Sequence, residues 1–311
     1  MIIDYTYIIA SALTGLLFSI IFQKLFVKQK LIDNINFRSS HKSTATRSGG
    51  LSIFITLFII TSYLYLSSNE IFDFSLLIPL SILFFIGIYD DVYNTDFMLK
   101  FIFQLIAAKI LVDQGILVDN FHGFMGIYEI PYLIAQPFTI FFILTILNSY
   151  NFIDGIDGLA LCQLFVTSMF ALFLMNFGIS WINVFLMIIL GSSISLFYFN
   201  FRKEKKIFLG DGGSLLVGGI IAIILISTIE YNIYDLDFFS VIFICYLYPL
   251  IDIVRIVSIR IINKRSPFKA DNYHIHHKLL KKLKLHTTTT FTIILISVTL
   301  QIIILLISTS R

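Results

Sequence analysis

The fold class follows from stretches such as residues 181–206, which read WINVFLMIILGSSISLFYFNFRKEKK. The run 181–199 contains no charged side chain and is close to the roughly 20 residues that a helix needs to cross a bilayer. Four basic residues follow it between positions 202 and 206. Because such charges collect in cytoplasmic loops, the stretch is typical of a membrane span that ends in the cytoplasm.

Nine other apolar runs share this character. The ten runs lie at about 5–23, 51–66, 74–89, 101–112, 131–147, 159–178, 181–199, 213–229, 238–258 and 289–308. Since the run 101–112 is short, the sequence predicts about ten spans within a range of 9–11. Only 13% of the 311 residues are charged and the mean hydropathy is +0.91, which excludes a water-soluble protein. We expect an all-α polytopic membrane protein with a single domain over residues 1–311.

The loops between these runs alternate in charge. Loops rich in Lys and Arg are 24–50, 200–210 and 259–288. Loops without either residue are 67–73, 113–130 and 230–237. The positive-inside rule places the first group in the cytoplasm, so ten spans leave both termini outside. No positive segment precedes the first run, so we expect an uncleaved first helix and not a signal peptide.

Four polar clusters lie at the ends of spans that are predicted to face the cytoplasm. They are residues 87–96, 148–160, 208–214 and 266–277. Their candidate functional residues include five aspartates and three histidines, namely Asp90, Asp91, Asp154, Asp157, Asp211, His274, His276 and His277. A transporter would place such residues near the middle of the bilayer, often within repeats. The one-sided arrangement therefore favours an enzyme over a polytopic transporter.

The second cluster has the composition of an oxygen-rich metal site. Asn148, Asn151, Asp154 and Asp157 recur every three residues, so we expect them near one face of a helix. Carboxylates and side-chain amides suit Mg²⁺ or Mn²⁺ better than a soft metal. A divalent cation, carboxylates, basic residues and histidines together describe a site that handles phosphate. We expect one soluble phosphorylated substrate and one lipid substrate.

Each cluster also has a purely structural interpretation. Asp90 and Asp91 would form a solvated helix end, and Asp211 would cap a helix that begins near Ser214. The histidines would order their loop against Asp271.

Some polar residues outside this set are also predicted to be structural. Asp252 and Arg255, three residues apart, would form an ion pair, because ionisable groups in a span are costly when unpaired. The basic run 278–284 would contact anionic lipid. His122 and His286 are interpreted as incidental.

The motifs resemble those of the polyprenyl-phosphate N-acetylhexosamine-1-phosphate transferases, glycosyltransferase family 4. They are Asp-Asp at 90–91, Asn-x-x-Asn-x-x-Asp-Gly-x-Asp-Gly-Leu at 148–159, Gly-Asp-x-Gly-Ser at 210–214 and His-Ile-His-His at 274–277. The segment 38–50 is similar to the family's first cytoplasmic loop. The resemblance runs from about Asp33 to His277, which is most of the chain.

The resemblance implies that undecaprenyl phosphate attacks the β-phosphate of a UDP-N-acetylhexosamine, with Mg²⁺ required and Mn²⁺ as a substitute. The products would be undecaprenyl-diphospho-sugar and UMP, in the first membrane step of O-antigen, common-antigen or teichoic acid synthesis. The active site would face the cytoplasm from the bacterial inner membrane. His-Ile-His-His favours the antigen-initiating, UDP-GlcNAc-using branch over the phospho-MurNAc-pentapeptide translocase. The amino sugar and homodimer formation stay open, and no nucleic-acid partner is expected.

The resemblance also implies residue roles. The catalytic set is Asp90, Asp91, His274, His276 and His277. The substrate-binding set is Lys100, Asn148, Asn151, Asp157, Arg38, His41 and Arg265. The metal-binding set is Asp154, Asp157 and Asp211.

Overall fold

The computed structural model describes residues 5–29, 31, 45–67, 73–175, 180–264, 266 and 273–310. Its helices are α1 (Thr6–Lys28), α2 (Gly49–Leu66), α3 (Leu77–Tyr93), α4 (Phe97–Asp113), α5 (Tyr132–Ile153), α6 (Leu159–Leu174), α7 (Trp181–Phe201), α8 (Gly210–Tyr231), α9 (Phe238–Ile262), α10 (Ile275–Leu283) and α11 (His286–Thr309). A 3₁₀ turn at Phe74–Leu76 leads into α3. Strands β1 (Ala45–Thr46) and β4 (Lys206–Ile207) pair in parallel, and β2 (Asn120–Phe124) and β3 (Ile127–Glu129) form an antiparallel hairpin.

Each of the ten apolar runs contains a helix, which confirms the predicted all-α polytopic membrane fold. Within the described ranges, eight helices are long and apolar enough to cross a membrane: α1, α2, α3 with its 3₁₀ turn, α5, α7, α8, α9 and α11. α4 and α6 cover the two other runs and have 17 and 16 residues. α10 is a short amphipathic helix that the count of spans did not include. The described residues of the four polar clusters meet at one end of the bundle, which we call the polar end.

α8 lies at the centre of the bundle. Every residue from Gly212 to Ile229 is buried, with α3 and α5 packed along the helix and α2 and α6 beside it. In contrast, α1 and α11 expose large apolar side chains, among them Leu13, Leu17, Leu295 and Leu306. Extended apolar surfaces of this kind mark contact with lipid or with another protein. Helix α8 is thus buried in the bundle, and α1 and α11 lie at its periphery.

Two glycines let the main chains of α2 and α8 touch at the polar end. A Cβ atom on Gly213 would lie 2.8 Å from the Gly50 Cα atom, and one on Gly50 would lie 2.3 Å from the Gly213 Cα atom. The Gly50 N–H also donates to the Leu209 carbonyl at 3.1 Å. This contact ties the start of α2 to the start of α8, which carries Asp211.

We expect Gly213→Ala to lower thermal stability more than Gly219→Ala. At Gly219 an added Cβ meets only the ends of the Leu83 and Leu80 side chains, at 2.6 and 2.9 Å, which shift easily. At Gly213 it meets main chain, and overpacking of this kind typically costs about 1–3 kcal/mol. Thermal unfolding of both variants in one detergent measures the difference. An equal or smaller loss for Gly213→Ala would contradict the close approach of α2 and α8.

α9 is bent at Pro249. Because proline has no N–H, the Cys245 carbonyl lacks its helical donor. The Thr167 hydroxyl of α6 donates to this carbonyl at 2.7 Å, and Tyr246 leaves helical geometry with φ −133° and ψ 22°. The part of α9 beyond the bend carries Asp252, which contacts residues 274–277, called here the histidine loop.

Candidate active site

Lys100, near the start of α4, lies between two of the predicted aspartates. Its Nζ atom donates to Asp90 Oδ2 and to Asp211 Oδ2, each at 2.8 Å. The other oxygen of Asp90 accepts from the Thr95 N–H at 2.8 Å and from the Thr95 hydroxyl at 2.7 Å. Since Asp90 is in the last turn of α3 and Asp211 in the first turn of α8, Lys100 joins the ends of three helices.

Asp91 contacts different groups from its neighbour. Arg47 Nη1 donates to Asp91 Oδ1 at 2.7 Å, and the Gly212 N–H donates to Oδ2 at 3.2 Å. Adjacent helical residues diverge by about 100°, which explains the two sets of partners. The interpretation of Asp90 and Asp91 as a solvated helix end is therefore wrong. The capping interpretation of Asp211 is wrong too, because α8 begins at Gly210 and the Asp211 carboxylate pairs with a lysine.

Asp154 follows α5 directly and is half-buried. Burial raises the pKa of its carboxyl well above the ordinary value, and the nearby carboxylates of Asp211 and Asp91 raise it further. Among the residues that the structure describes, no cation forms an ion pair with Asp154. A divalent cation supplies the charge that such a group of carboxylates lacks. The oxygen donors of Asp154 and Asp211 thus fit Mg²⁺.

Asp157 contacts a separate group of residues. Its carboxylate accepts a hydrogen bond from Lys206 of β4 and lies 3.5 Å from His286 Nδ1 at the start of α11. Burial by itself would raise the pKa of the Asp157 carboxyl, but the nearby His286 and Lys206 outweigh it and leave that pKa below its ordinary value. The prediction that the three-residue spacing keeps all four residues on one helix face is wrong, because α5 ends at Ile153. A metal or substrate role for Asp157 stays a prediction.

Asn148 and Asn151 lie in the last turns of α5 and reach neighbouring helices. Asn148 Nδ2 donates to Gln104 Oε1 of α4 at 3.3 Å, and Asn151 Nδ2 donates to Ser214 Oγ of α8 at 2.8 Å. These bonds hold the end of α5 against α4, which carries Lys100, and against α8, which carries Asp211. Substrate binding by the two amides stays a prediction.

His274, His276 and His277 form a second group at the start of α10. Their ring centroids lie between 4.3 and 6.3 Å apart. A Cβ on Gly155 would lie 3.2 Å from both His276 Nε2 and His277 Cε1, so the rings lie beside the turn that contains Asp154. Burial lowers the pKa of the His276 imidazole to about 3, with a further contribution from His277. His276 is therefore neutral at physiological pH.

Three predicted substrate-binding residues, Arg38, His41 and Arg265, lie outside the described residues, and so does Asp271. Their roles stay predictions.

Comparison with known families identifies the protein family in which this arrangement of residues occurs. The family model described as Glycosyl transferase family 4 matches residues 73–229. The matched segment contains Lys100 and the aspartates around it, which lie on α3, α4 and α8 and directly after α5: Asp90, Asp91, Asp154 and Asp211.

The chain belongs to glycosyl transferase family 4.

The resemblance seen in the motifs is thereby confirmed.

Individual relatives of this glycosyl transferase align over most of its length. It is 29% identical over 285 residues to the probable undecaprenyl-phosphate N-acetylglucosaminyl 1-phosphate transferase of Bacillus subtilis, covering 88% of this chain and 76% of that protein. It is 27% identical over 278 residues to the undecaprenyl-phosphate alpha-N-acetylglucosaminyl 1-phosphate transferase of Escherichia coli, covering 85% and 73%. The decaprenyl-phosphate N-acetylglucosaminephosphotransferase of Mycobacterium leprae is 27% identical over 274 residues, covering 78% and 68%.

Several residues that contact the site of this glycosyl transferase were not predicted from the sequence. Arg47 pairs with Asp91, and Lys206 pairs with Asp157. Arg47 directly follows β1, and Lys206 is the first residue of β4. The two strands pair with each other, with Ala45 opposite Lys206. No local pattern marks such residues, because their partners are far away in the chain.

Two of the structural interpretations also change. The interpretation of His286 as incidental is wrong, since its Nδ1 atom accepts from the Asp157 N–H at 3.2 Å. The predicted pair of Asp252 and Arg255 is confirmed at 3.4 Å, but Asp252 also contacts the histidine loop. A carboxylate within a span was the available signal for that second contact.

Proposed function

We propose that this glycosyl transferase moves N-acetylglucosamine 1-phosphate from UDP-GlcNAc to undecaprenyl phosphate. An oxygen of the lipid phosphate forms a bond to the β-phosphorus of UDP-GlcNAc. The bond from that phosphorus to the bridging oxygen breaks, and UMP leaves with the bridging oxygen. The names of relatives that align over most of both chains support the transfer of N-acetylglucosamine 1-phosphate to undecaprenyl phosphate.

The observation that carries the proposal is the bridge from Lys100 to Asp90 and Asp211. Phosphoryl transfer depends mainly on positioning and on neutralising charge. The two carboxylates hold the Lys100 ammonium in a defined place, where a phosphate oxygen can bind it. A phosphate monoester has a second pKa near 6, as phosphoserine does, so the attacking oxygen is largely ionised at neutral pH. Asp90 therefore acts more through the position of Lys100 than as a general base.

We further infer that Asp154 and Asp211 bind Mg²⁺, for which Mn²⁺ can substitute. When bound, the ion neutralises negative charge on the reacting phosphates. Asp157 would have to release Lys206 before it could serve as a third ligand.

The product would be the first lipid-linked sugar of a surface polysaccharide such as O-antigen, common antigen or teichoic acid. We infer that the polar end faces the cytoplasm from the bacterial inner membrane and that both termini lie outside. The one-sided distribution of Lys and Arg in the loops supports this orientation.

We expect a cysteine in place of Lys205 to be protected from a membrane-impermeant thiol reagent in intact cells, and Asp119→Cys to be labelled. The two exposed positions lie in loops at opposite ends of the bundle. The native Cys162 and Cys245 are buried, so they give little background. Permeabilised cells, in which both variants should react, provide the control. Labelling at 205 with none at 119 would invert the topology.

Release of UMP by the purified protein tests the proposed reaction. We expect UMP only when both undecaprenyl phosphate and UDP-GlcNAc are present. The alternative donors, each tested in place of UDP-GlcNAc, are UDP-GalNAc, other UDP-linked amino sugars and UDP-MurNAc-pentapeptide. Turnover of UDP-MurNAc-pentapeptide alone would identify a peptidoglycan translocase instead, and no UMP from any donor would contradict the proposed function.

Chelation of divalent cations should abolish UMP release, and added Mg²⁺ or Mn²⁺ should restore it. Asp211→Asn removes a charged ligand while keeping its shape, so it should raise the Mg²⁺ concentration needed for half-maximal rate. Asp113→Asn, at the far end of α4, is the matched control and should leave that concentration unchanged. Undiminished activity in excess chelator would refute the metal assignment.

A further inference from the structure

The part of α9 beyond the bend holds the histidine loop through Asp252. Asp252 Oδ2 lies 2.6 Å from His274 Nδ1, and Asp252 Oδ1 accepts from the Ile275 N–H at 2.8 Å. Asp252 is 1% exposed and His274 is 3% exposed. Charge-assisted hydrogen bonds of this kind are shorter and stronger than neutral ones. One carboxylate thus fixes both the ring of His274 and the first residue of α10.

Tyr248 makes the equivalent contact one helical turn earlier. Its hydroxyl lies 3.2 Å from His276 Nδ1. A neutral imidazole has one donor and one acceptor nitrogen. When the Tyr248 hydroxyl donates to Nδ1, the proton of His276 is on Nε2.

The other nitrogen of His276 has no such contact. Its Nε2 atom is fully buried, and no hydrogen-bond partner for it exists among the described residues. The same atom lies beside Gly155, next to Asp154. A buried donor without a partner is unfavourable. The unpaired Nε2 atom of His276 is therefore available to bind an oxygen of the proposed substrate phosphates.

We propose that Asp252 and Tyr248 are positioning residues for the transfer reaction. Asp252 sets the ring of His274 and Tyr248 sets the tautomer of His276, so that their remaining nitrogens are oriented before substrate binds. The inference rests on the proposed function in one respect, namely that the imidazoles contact the substrate phosphates.

A metal ion is the main competing explanation for this cluster. Asp252, His274 and His276 each place a ligand atom within 4.8 Å of the others. The 2.6 Å separation of Asp252 and His274 is, however, that of a direct hydrogen bond, which uses both atoms that an ion would need. Metal analysis of the purified protein separates the two explanations.

Kinetics test the positioning role. We expect Asp252→Asn and Tyr248→Phe each to lower kcat for UMP release about 10- to 100-fold, the usual cost of losing a residue that orients a ligand, with a smaller change in KM. Asp252→Glu keeps an acceptor and should recover part of the rate. Asp237→Asn is the matched control, because Asp237 lies at the opposite end of α9, where it accepts from the Phe239 and Ser240 N–H groups.

A double-mutant comparison distinguishes positioning from simple stabilisation. If Asp252 acts through His274, Asp252→Asn should cost little further rate in a His274→Ala background. Fully additive losses, or lower thermal stability with unchanged kcat, would overturn the proposal.

A spectroscopic measurement keeps this inference separate from the proposed function. With ¹⁵N-labelled histidine, the signal of a strongly hydrogen-bonded Nδ1–H should disappear in both Asp252→Asn and His274→Ala and persist in Asp237→Asn. A signal that survives in Asp252→Asn would overturn the positioning role, as would zinc retained by the wild type and lost in that variant. If the wild type releases no UMP, the reaction is refuted while the signal still tests the contact.

Discussion

Lys100→Met should reduce kcat for UMP release by about 100- to 1,000-fold, as loss of an electrostatic group in an active site typically does. The substitution keeps an unbranched side chain of similar length and removes the cation that Asp90 and Asp211 share. The Asp211 carboxylate then lies near Asp154 and Asp91 with less positive charge beside it. The turnover of purified protein at saturating Mg²⁺ and both substrates measures the effect.

Lys109→Met is the matched control. Lys109 lies on the same helix and pairs with Asp113 four residues later, both side chains being about half exposed. Exposed pairs of this kind contribute little to stability. We expect the control to keep wild-type turnover and stability. Equal turnover in Lys100→Met and Lys109→Met would refute the role given to Lys100.

His276→Ala should also lower kcat strongly, by about 100- to 1,000-fold if its Nε2–H donates to charge developing on the leaving phosphate. Interactions that strengthen in the transition state affect the rate and not only substrate affinity. The ring is neutral because burial lowers its pKa to about 3, so it contributes a hydrogen bond and not a charge. Steady-state kinetics with UDP-GlcNAc separate kcat from KM.

His122→Ala serves as the control for the histidine variant. His122 lies in the β2–β3 hairpin at the other end of the bundle, so its removal should not change kcat. Near-normal kcat in His276→Ala together with a lower unfolding temperature would mean that the histidines only order their loop.

Hydropathy and charge determined a large part of this protein without any tertiary information. Apolar runs such as 181–199 form helices because a span must satisfy its own backbone hydrogen bonds inside a bilayer. The polar residues at the ends of the runs are visible because ionisable groups are rare within them. Both properties are local, so a reading along the chain suffices to recognise them. The motif order was enough to identify the family.

The partners of the polar residues were decided only by the tertiary structure. Spacing alone placed Asp157 with Asn148 and Asn151, but the end of α5 turns it to Lys206 and His286. The hydrogen bonds that join Asp252 and Tyr248 to the histidine loop likewise connect residues more than twenty positions apart in the chain. Helix ends and packing between distant segments set these contacts. Hydropathy shows which end of a span is polar. Only the packing of the helices determines which charged side chains form pairs.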